Sequence, residues 1–152
     1  MAVKPIPEGY HSITPYLIAK NARAALEFYK KAFEAKERFC MEHDGKVGHS
    51  EFQVGDSVIM MADEFPQMEA MGPTGTNRYS VLLMYVNDVD ATFRRAVELG
   101  AKIIREPRNE FYGDRMATVM DPFGHKWHLA THVEDVSPEE LEKRSREMKE
   151  HK

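Results

Sequence analysis

Residues 21–33 read Asn21-Ala22-Arg23-Ala24-Ala25-Leu26-Glu27-Phe28-Tyr29-Lys30-Lys31-Ala32-Phe33, and further on the chain reads Asp88-Val89-Asp90-Ala91-Thr92-Phe93-Arg94-Arg95-Ala96-Val97. Each stretch opens on a side chain that can accept from the free N–H groups of a first helical turn. Each then spaces apolar residues along one helical face, Ala22, Ala25, Leu26, Tyr29 and Phe33 in the first and Val89, Phe93, Ala96 and Val97 in the second. A shift of 67 positions lays Asn21 on Asp88, Leu26 on Phe93 and Thr14 on Val81. Two helical stripes in register at one offset predict an internal repeat.

Outward from the helices the two halves keep the same order. Residues 10–18 read as a strand with Ile13 and Leu17 on one face and Thr14 and Tyr16 on the other. Strands follow over 37–42, 47–54 and 57–62, the last two joined by Gly55-Asp56. A connector rich in proline, glycine and methionine runs over 63–77, and the order restarts with a strand over 79–86. Gly100 is placed to stop the second helix. Strands then read over 102–105, 115–120 and 125–131, with a loop before Asp114 and the turn Asp121-Pro122-Phe123-Gly124 inside the last hairpin. A βαβββ unit of about 55 residues is too small to bury both faces of its sheet alone. The expected fold is therefore α+β: two βαβββ modules in tandem with curled mixed sheets, plus a C-terminal helix. That helix opens on Ser137-Pro138-Glu139-Glu140, a cap, a first-position proline and a capping-box glutamate. Only Leu141 and Met148 are large and apolar along it, the pattern of a solvated tail more than of a brace on a partner subunit.

The balance of 42% hydrophobic and 30% charged residues is that of a globular chain. With 21 basic against 25 acidic side chains, net charge −4, no global field grips a phosphate backbone, so nucleic acid is not an expected partner. The single cysteine, Cys40, forms neither an internal disulfide nor a multi-cysteine zinc site. No apolar run approaches about 18 residues and Met1-Ala2-Val3-Lys4-Pro5 lacks a signal-peptide core, so the expectation is a cytoplasmic protein with no membrane contact.

Paired βαβββ modules with Leu26-Glu27-Phe28-Tyr29 in the first helix and Asp121-Pro122-Phe123-Gly124-His125 before the last strand resemble the vicinal oxygen chelate superfamily of glyoxalases, bleomycin resistance proteins and dioxygenases. The strings Gly9-Tyr10-His11, Gly48-His49-Ser50-Glu51, Phe111-Tyr112-Gly113-Asp114-Arg115 and Ala130-Thr131-His132-Val133 look like its PhnB-like subgroup. The resemblance implies one domain over 1–152, with module one at about 10–63, a connector at 64–77, module two at about 78–132 and a helix at about 137–150. It implies a homodimer whose sheets form cups for a small organic molecule. The chemistry it implies is of lyase, isomerase or dioxygenase type, with sequestration without reaction, as in bleomycin-binding relatives, as the alternative. Enzymes of the superfamily hold a divalent metal on four symmetric strand positions, which fall here on Thr14, Met60, Val81 and His128. Only His128 is a competent ligand among them, so a divalent metal is expected there, if anywhere, on a degraded site.

His125, His128 and His132 sit on one strand, where neighbours in the set are roughly 10–13 Å apart and cannot share an ion. His128 alone is a candidate ligand, base or hydrogen-bonded core group. His49, Glu51 and Gln53 alternate with Phe52 and Val54; if the apolar face packs on the helix the polar row faces the cup interior, and the alternative is an edge strand with a solvated polar face. Glu51 in a closed site would need a partner or a proton, the requirement of an acid or base, and it pairs in this reading with His128 as the catalytic set. In the fold the resemblance implies, Thr14 and Tyr16 face the same space as Glu51 and His128, and with His49 they are expected to line the ligand site. Tyr112 and Arg115, in the loop entering the seventh strand, are expected to clamp the ligand, the arginine by a bidentate fork, unless the loop is anchored structurally. Trp127 alternates onto the core side, and Cys40 has no base in view.

Overall fold

The computed structural model describes residues 3–75 and 80–150. The described chain divides into two compact units, one of residues up to 75 with 122–124 and one of residues 80–121 with 125–150. In the first, β1 (Tyr16–Ala19), α1 (Ala22–Phe33), β2 (Lys36–His43), β3 (Lys46–Val54) and β4 (Ser57–Asp63) form a four-stranded sheet in the order β1-β4-β3-β2. In the second, β5 (Leu82–Tyr85), α2 (Val89–Glu98), β6 (Lys102–Asn109), β7 (Asp114–Met120) and β8 (Lys126–His132) form a sheet in the order β5-β8-β7-β6. In each unit the first strand pairs parallel with the last and the remaining pairs are antiparallel. These are the two mixed-sheet βαβββ modules, followed by α3 (Pro138–Glu150).

The caps form as their residue types dictate. Asn21 Oδ1 accepts from Ala24 N at 3.1 Å and Asp88 Oδ1 from Ala91 N at 3.2 Å. A second tie repeats as well, fixing each helix start to the last strand of its own sheet. Buried Asp63 accepts from Ala22 N at 2.8 Å and from Val47 N at 2.7 Å. In the second unit Thr131 Oγ1 accepts from Val89 N at 2.9 Å and donates to Val86 O at 2.8 Å. The apolar stripes then pack inward. Tyr29 lies fully buried and stacked on Phe52 at 5.3 Å in the first unit, and Trp127, Leu129, Val119 and Val89 fill the second core. Trp127 Nε1 donates to Asp121 Oδ2 at 2.9 Å, so the aspartate of the turn satisfies the core indole.

Three strands differ by three residues or more from their expected bounds. Regular pairing of the first strand begins only at Tyr16, because Pro15 has no N–H to give and serves the sheet only as an acceptor, for Met60 N at 3.0 Å. The expected strand over 79–86 is the shorter β5, and Tyr79 lies outside the described residues, as do positions 76 and 77 of the connector. Within that connector Pro66–Met68 forms a 3-10 turn. The strand expected over 102–105 continues to Asn109 as an edge strand, which tolerates Pro107. The C-terminal helix is anchored rather than free. Arg144 reaches both oxygens of Glu134 at 2.7 and 3.0 Å and the carbonyl of Phe111 at 3.1 Å.

Candidate functional site

Strand alternation gives each sheet a helix-packed face and an open face. In the first unit Phe52 and Ser50 are wholly buried toward α1, and His49 and Glu51 fall on the other side. The register sets Tyr16 opposite Met60 and Met60 opposite Glu51, so three strands contribute to one row. A chain of hydrogen bonds runs across this open face. Tyr16 Oη lies 2.9 Å from His49 Nδ1, His49 Nε2 lies 3.0 Å from Glu51 Oε2, and the Tyr10 hydroxyl donates to Glu51 Oε1. Glu51 and His49 are 18% and 27% exposed at the side chain, sheltered but within reach of a ligand. Phe39 and Met41, both exposed, lie across from Glu51 and His49 on β2 and add an apolar wall. Partial desolvation raises the phenol of half-exposed Tyr16 above its ordinary value.

Where Glu51 Oε2 accepts from His49 Nε2, Nδ1 is left as the acceptor for Tyr16 Oη. The carboxylate is itself held by Tyr10, so base, orienter and exposed phenol form one relay. Three of its members, Tyr16, His49 and Glu51, are candidate site residues of the sequence reading, which pairs Glu51 with His128 and not with His49. Tyr10 is not among them; its only signal is its place in the Gly9-Tyr10-His11 string. Thr14 lies half-buried two residues before Tyr16.

In the second unit the row Thr118–His128–Leu83 crosses β7, β8 and β5 on the open face. Buried Thr118 bonds His128 Nδ1 at 2.8 Å. Burial, then the positive charges of Lys126 and Arg105, push the His128 imidazole below its ordinary value, so it is neutral at pH 7. Farther along the same face, buried Asp114 accepts from Tyr85 Oη at 2.9 Å and bonds His132 Nδ1 at 2.8 Å, and His132 Nε2 reaches Asp135 at 2.7 Å. The hydrogen bond to Asp114, then that to Asp135, raises His132 above its ordinary value. His128 and His132 therefore have separate partners and form no common cluster with His125.

The expected clamp is placed differently. Arg115 alternates with Asp114 and Met116 and so faces α2, where its Nε and Nη2 grip Asp90 at 2.7 and 2.9 Å. Unbroken alternation along β7 thus gives the guanidinium fork to the helix rather than to a ligand. Tyr112 stacks edge-on against Phe111 at 5.3 Å, and its hydroxyl points to Met116 Sδ at 3.7 Å. The two rings line an open apolar depression of ≈ 500 Å³ with Pro138, Leu141, Glu142 and Ser145. Cys40 accepts from Arg23 Nη2 at 3.0 Å, and burial raises its thiol, so it is not a poised nucleophile.

Residues 9–129 match the family model of the Glyoxalase/Bleomycin resistance protein/Dioxygenase superfamily. The chain belongs to this superfamily. Similar chains include the uncharacterized protein Mb0911c of Mycobacterium bovis, 35% identical over 136 residues that cover 86% of this chain and 90% of that one. A 74-residue stretch, 48% of this chain and 24% of the other, is 38% identical to the anthracycline biosynthesis protein DnrV of Streptomyces peucetius. The fold is shared with the PhnB protein of Bacillus cereus, TM-score 0.64 at 18% identity over 80% of this chain and 99% of that one.

The superfamily's metal positions test poorly against this chain. The first unit supplies a hydroxyl at Thr14 and a thioether at Met60, and the second supplies an aliphatic side chain at Val81 and the imidazole of His128. Among the described residues no group of three or more His, Cys, Asp or Glu side chains converges on a metal-sized site. The donor set does not fit a resident divalent ion of the glyoxalase kind.

Proposed function

We propose that this member of the glyoxalase superfamily binds a small aromatic or conjugated organic molecule and moves protons on it with its own side chains, without the superfamily's metal. The observation that carries this reading is the Tyr10–Glu51–His49–Tyr16 relay on the open face of the first unit, beside Phe39, Met41 and Met60. A hydroxyl or enolisable group of the ligand would give its proton to the Tyr16 oxygen as Tyr16 passes its own to His49 Nδ1. The resulting imidazolium is stabilised by Glu51, and the reverse transfer returns the proton. His128, held by Thr118, is the second unit's acid, base or donor in this reading, and Thr14 and Tyr112 are ligand contacts. The name of the partial relative DnrV supports a polycyclic aromatic ligand, which the aromatic and thioether side chains suit. The protein acts as a homodimer in the cytoplasm.

The second reading is sequestration without reaction, favoured by the exposed Phe39 and Met41 beside the relay. A thermal-shift screen of hydroxylated naphthoquinones and anthraquinones, followed by product analysis of the hits, separates the two. Turnover lost in both Tyr16→Phe and Glu51→Gln supports the enzyme. Binding with no product in the wild type supports sequestration. An absence of hits refutes both.

A further inference from the structure

Strand β6 carries two irregularities that the sequence does not announce. Ile103 pairs with Val119, but Arg105 then pairs with Thr118 and Arg108 with Met116, so one residue is inserted before each arginine. Without these bulges Arg105 would share the phase of Ile103 and face α2. With them both arginines turn to the open face of the second unit, the face of Thr118 and His128. Arg105, Thr118 and His128 then stand in one row across β6, β7 and β8, two strand spacings or about 10 Å from end to end.

The charges of this row are incompletely matched. A single oxygen, Glu110 Oε1, accepts from Arg105 Nη2 at 2.7 Å and from Arg108 Nε at 2.9 Å. Arg105 Nε is buried with no hydrogen-bond partner. Two guanidinium groups on one carboxylate leave a surplus positive charge, and Lys126 adds another beside His128. Asp114, farther along the face and four positions from Thr118 on β7, is already engaged by His132 and Tyr85, and exposed Glu106 follows Arg105 on β6. Thr118 Oγ1 bonds His128 Nδ1 at 2.8 Å, and the other ring nitrogen, Nε2, is a further polar atom of the row.

We propose that the row Arg105–Thr118–His128, flanked by Arg108 and Lys126, is a binding subsite for the oxyanion of a small organic acid, a carboxylate or a phosphoryl group. An arginine fork matches either group in geometry. The subsite lies wholly in the second unit and does not depend on the Tyr16–His49–Glu51 relay.

Isothermal titration at low ionic strength with benzoate, phenylphosphonate and uncharged benzamide tests it. Saturable binding of one anion and none of benzamide is expected, and the tighter anion assigns the class. Arg105→Met should weaken that binding roughly tenfold or more. Arg105→Lys, which keeps the charge and loses the fork, should weaken it several-fold with an unchanged melting temperature. Tyr16→Phe, in the other unit, should leave it unaltered, which separates this subsite from the proposed relay. Equal binding of benzamide, wild-type affinity in both Arg105 variants, or no saturable binding of either anion up to about 10 mM would overturn the proposal.

Discussion

His49 has a phenol on one side and a carboxylate on the other, and that pair decides which ring nitrogen carries the proton. Glu51→Gln keeps the shape but offers an amide that can turn either its oxygen or its NH₂ to His49, so the relay loses its orientation. We predict a fall of roughly a hundredfold in any proton-transfer turnover, with ligand affinity changed by less than threefold, read from kcat and KM separately. The histidines of the second unit offer a test of electrostatics by NMR. His132, bonded to Asp114 and Asp135, should titrate above about 6.5, and His128 below it. His132 contributes stability fully below its unfolded value, and that contribution is lost as pH rises through the raised folded value. Asp114→Asn should therefore return the His132 titration toward 6.5 and leave that of His128 in place; an unmoved His132 would contradict the assignment. A period of two puts His49 and Glu51 on one face of their strand without any structure, and the family resemblance adds Tyr16 to that space. Tyr10 was not legible, since it lies outside the regular strands and meets Glu51 only through the fold.

At the scale of elements, the two modules use different chemistry for one task. Asp63 and Thr131 each pin a helix start to the last strand, but Asp63 also holds the start of β3 by accepting from Val47 N. Asp63→Ala leaves two backbone N–H groups without partners in the interior and should cost about 3 kcal/mol in urea unfolding. Gly113 holds the segment leading to α3. Its carbonyl accepts from Val133 N and Glu134 N at 2.9 and 3.0 Å, its φ is +100°, and an added Cβ would lie 2.1 Å from Glu134 O. Gly113→Ala should therefore detach this strap, seen as faster hydrogen exchange across 133–148 with the sheet cores still protected. The helices, their caps and the order of strands were readable from periodicity and turn residues. The bulges of β6 were not, because inserting a residue into a ladder needs no particular residue type. That is why Arg115 stood out in the sequence and Arg105 did not.

For the whole molecule, the repeat, the capped helices and the family match agree on two βαβββ modules, each with its own core. Phe39, Leu83 and Tyr85 are exposed on the sheets' open faces. Sedimentation at micromolar concentration should give twice the chain mass of 17.5 kDa; a monomer would contradict the dimer. The central claim is ligand binding at the Tyr16–His49–Glu51 face without a resident metal. Its most direct test is a thermal-shift measurement with a polycyclic hydroxyquinone, run in excess chelator on wild type and Tyr16→Phe. The account predicts a rise in melting temperature that persists in chelator and shrinks markedly in Tyr16→Phe. A shift that vanishes with chelator, or is identical in the two proteins, would contradict it.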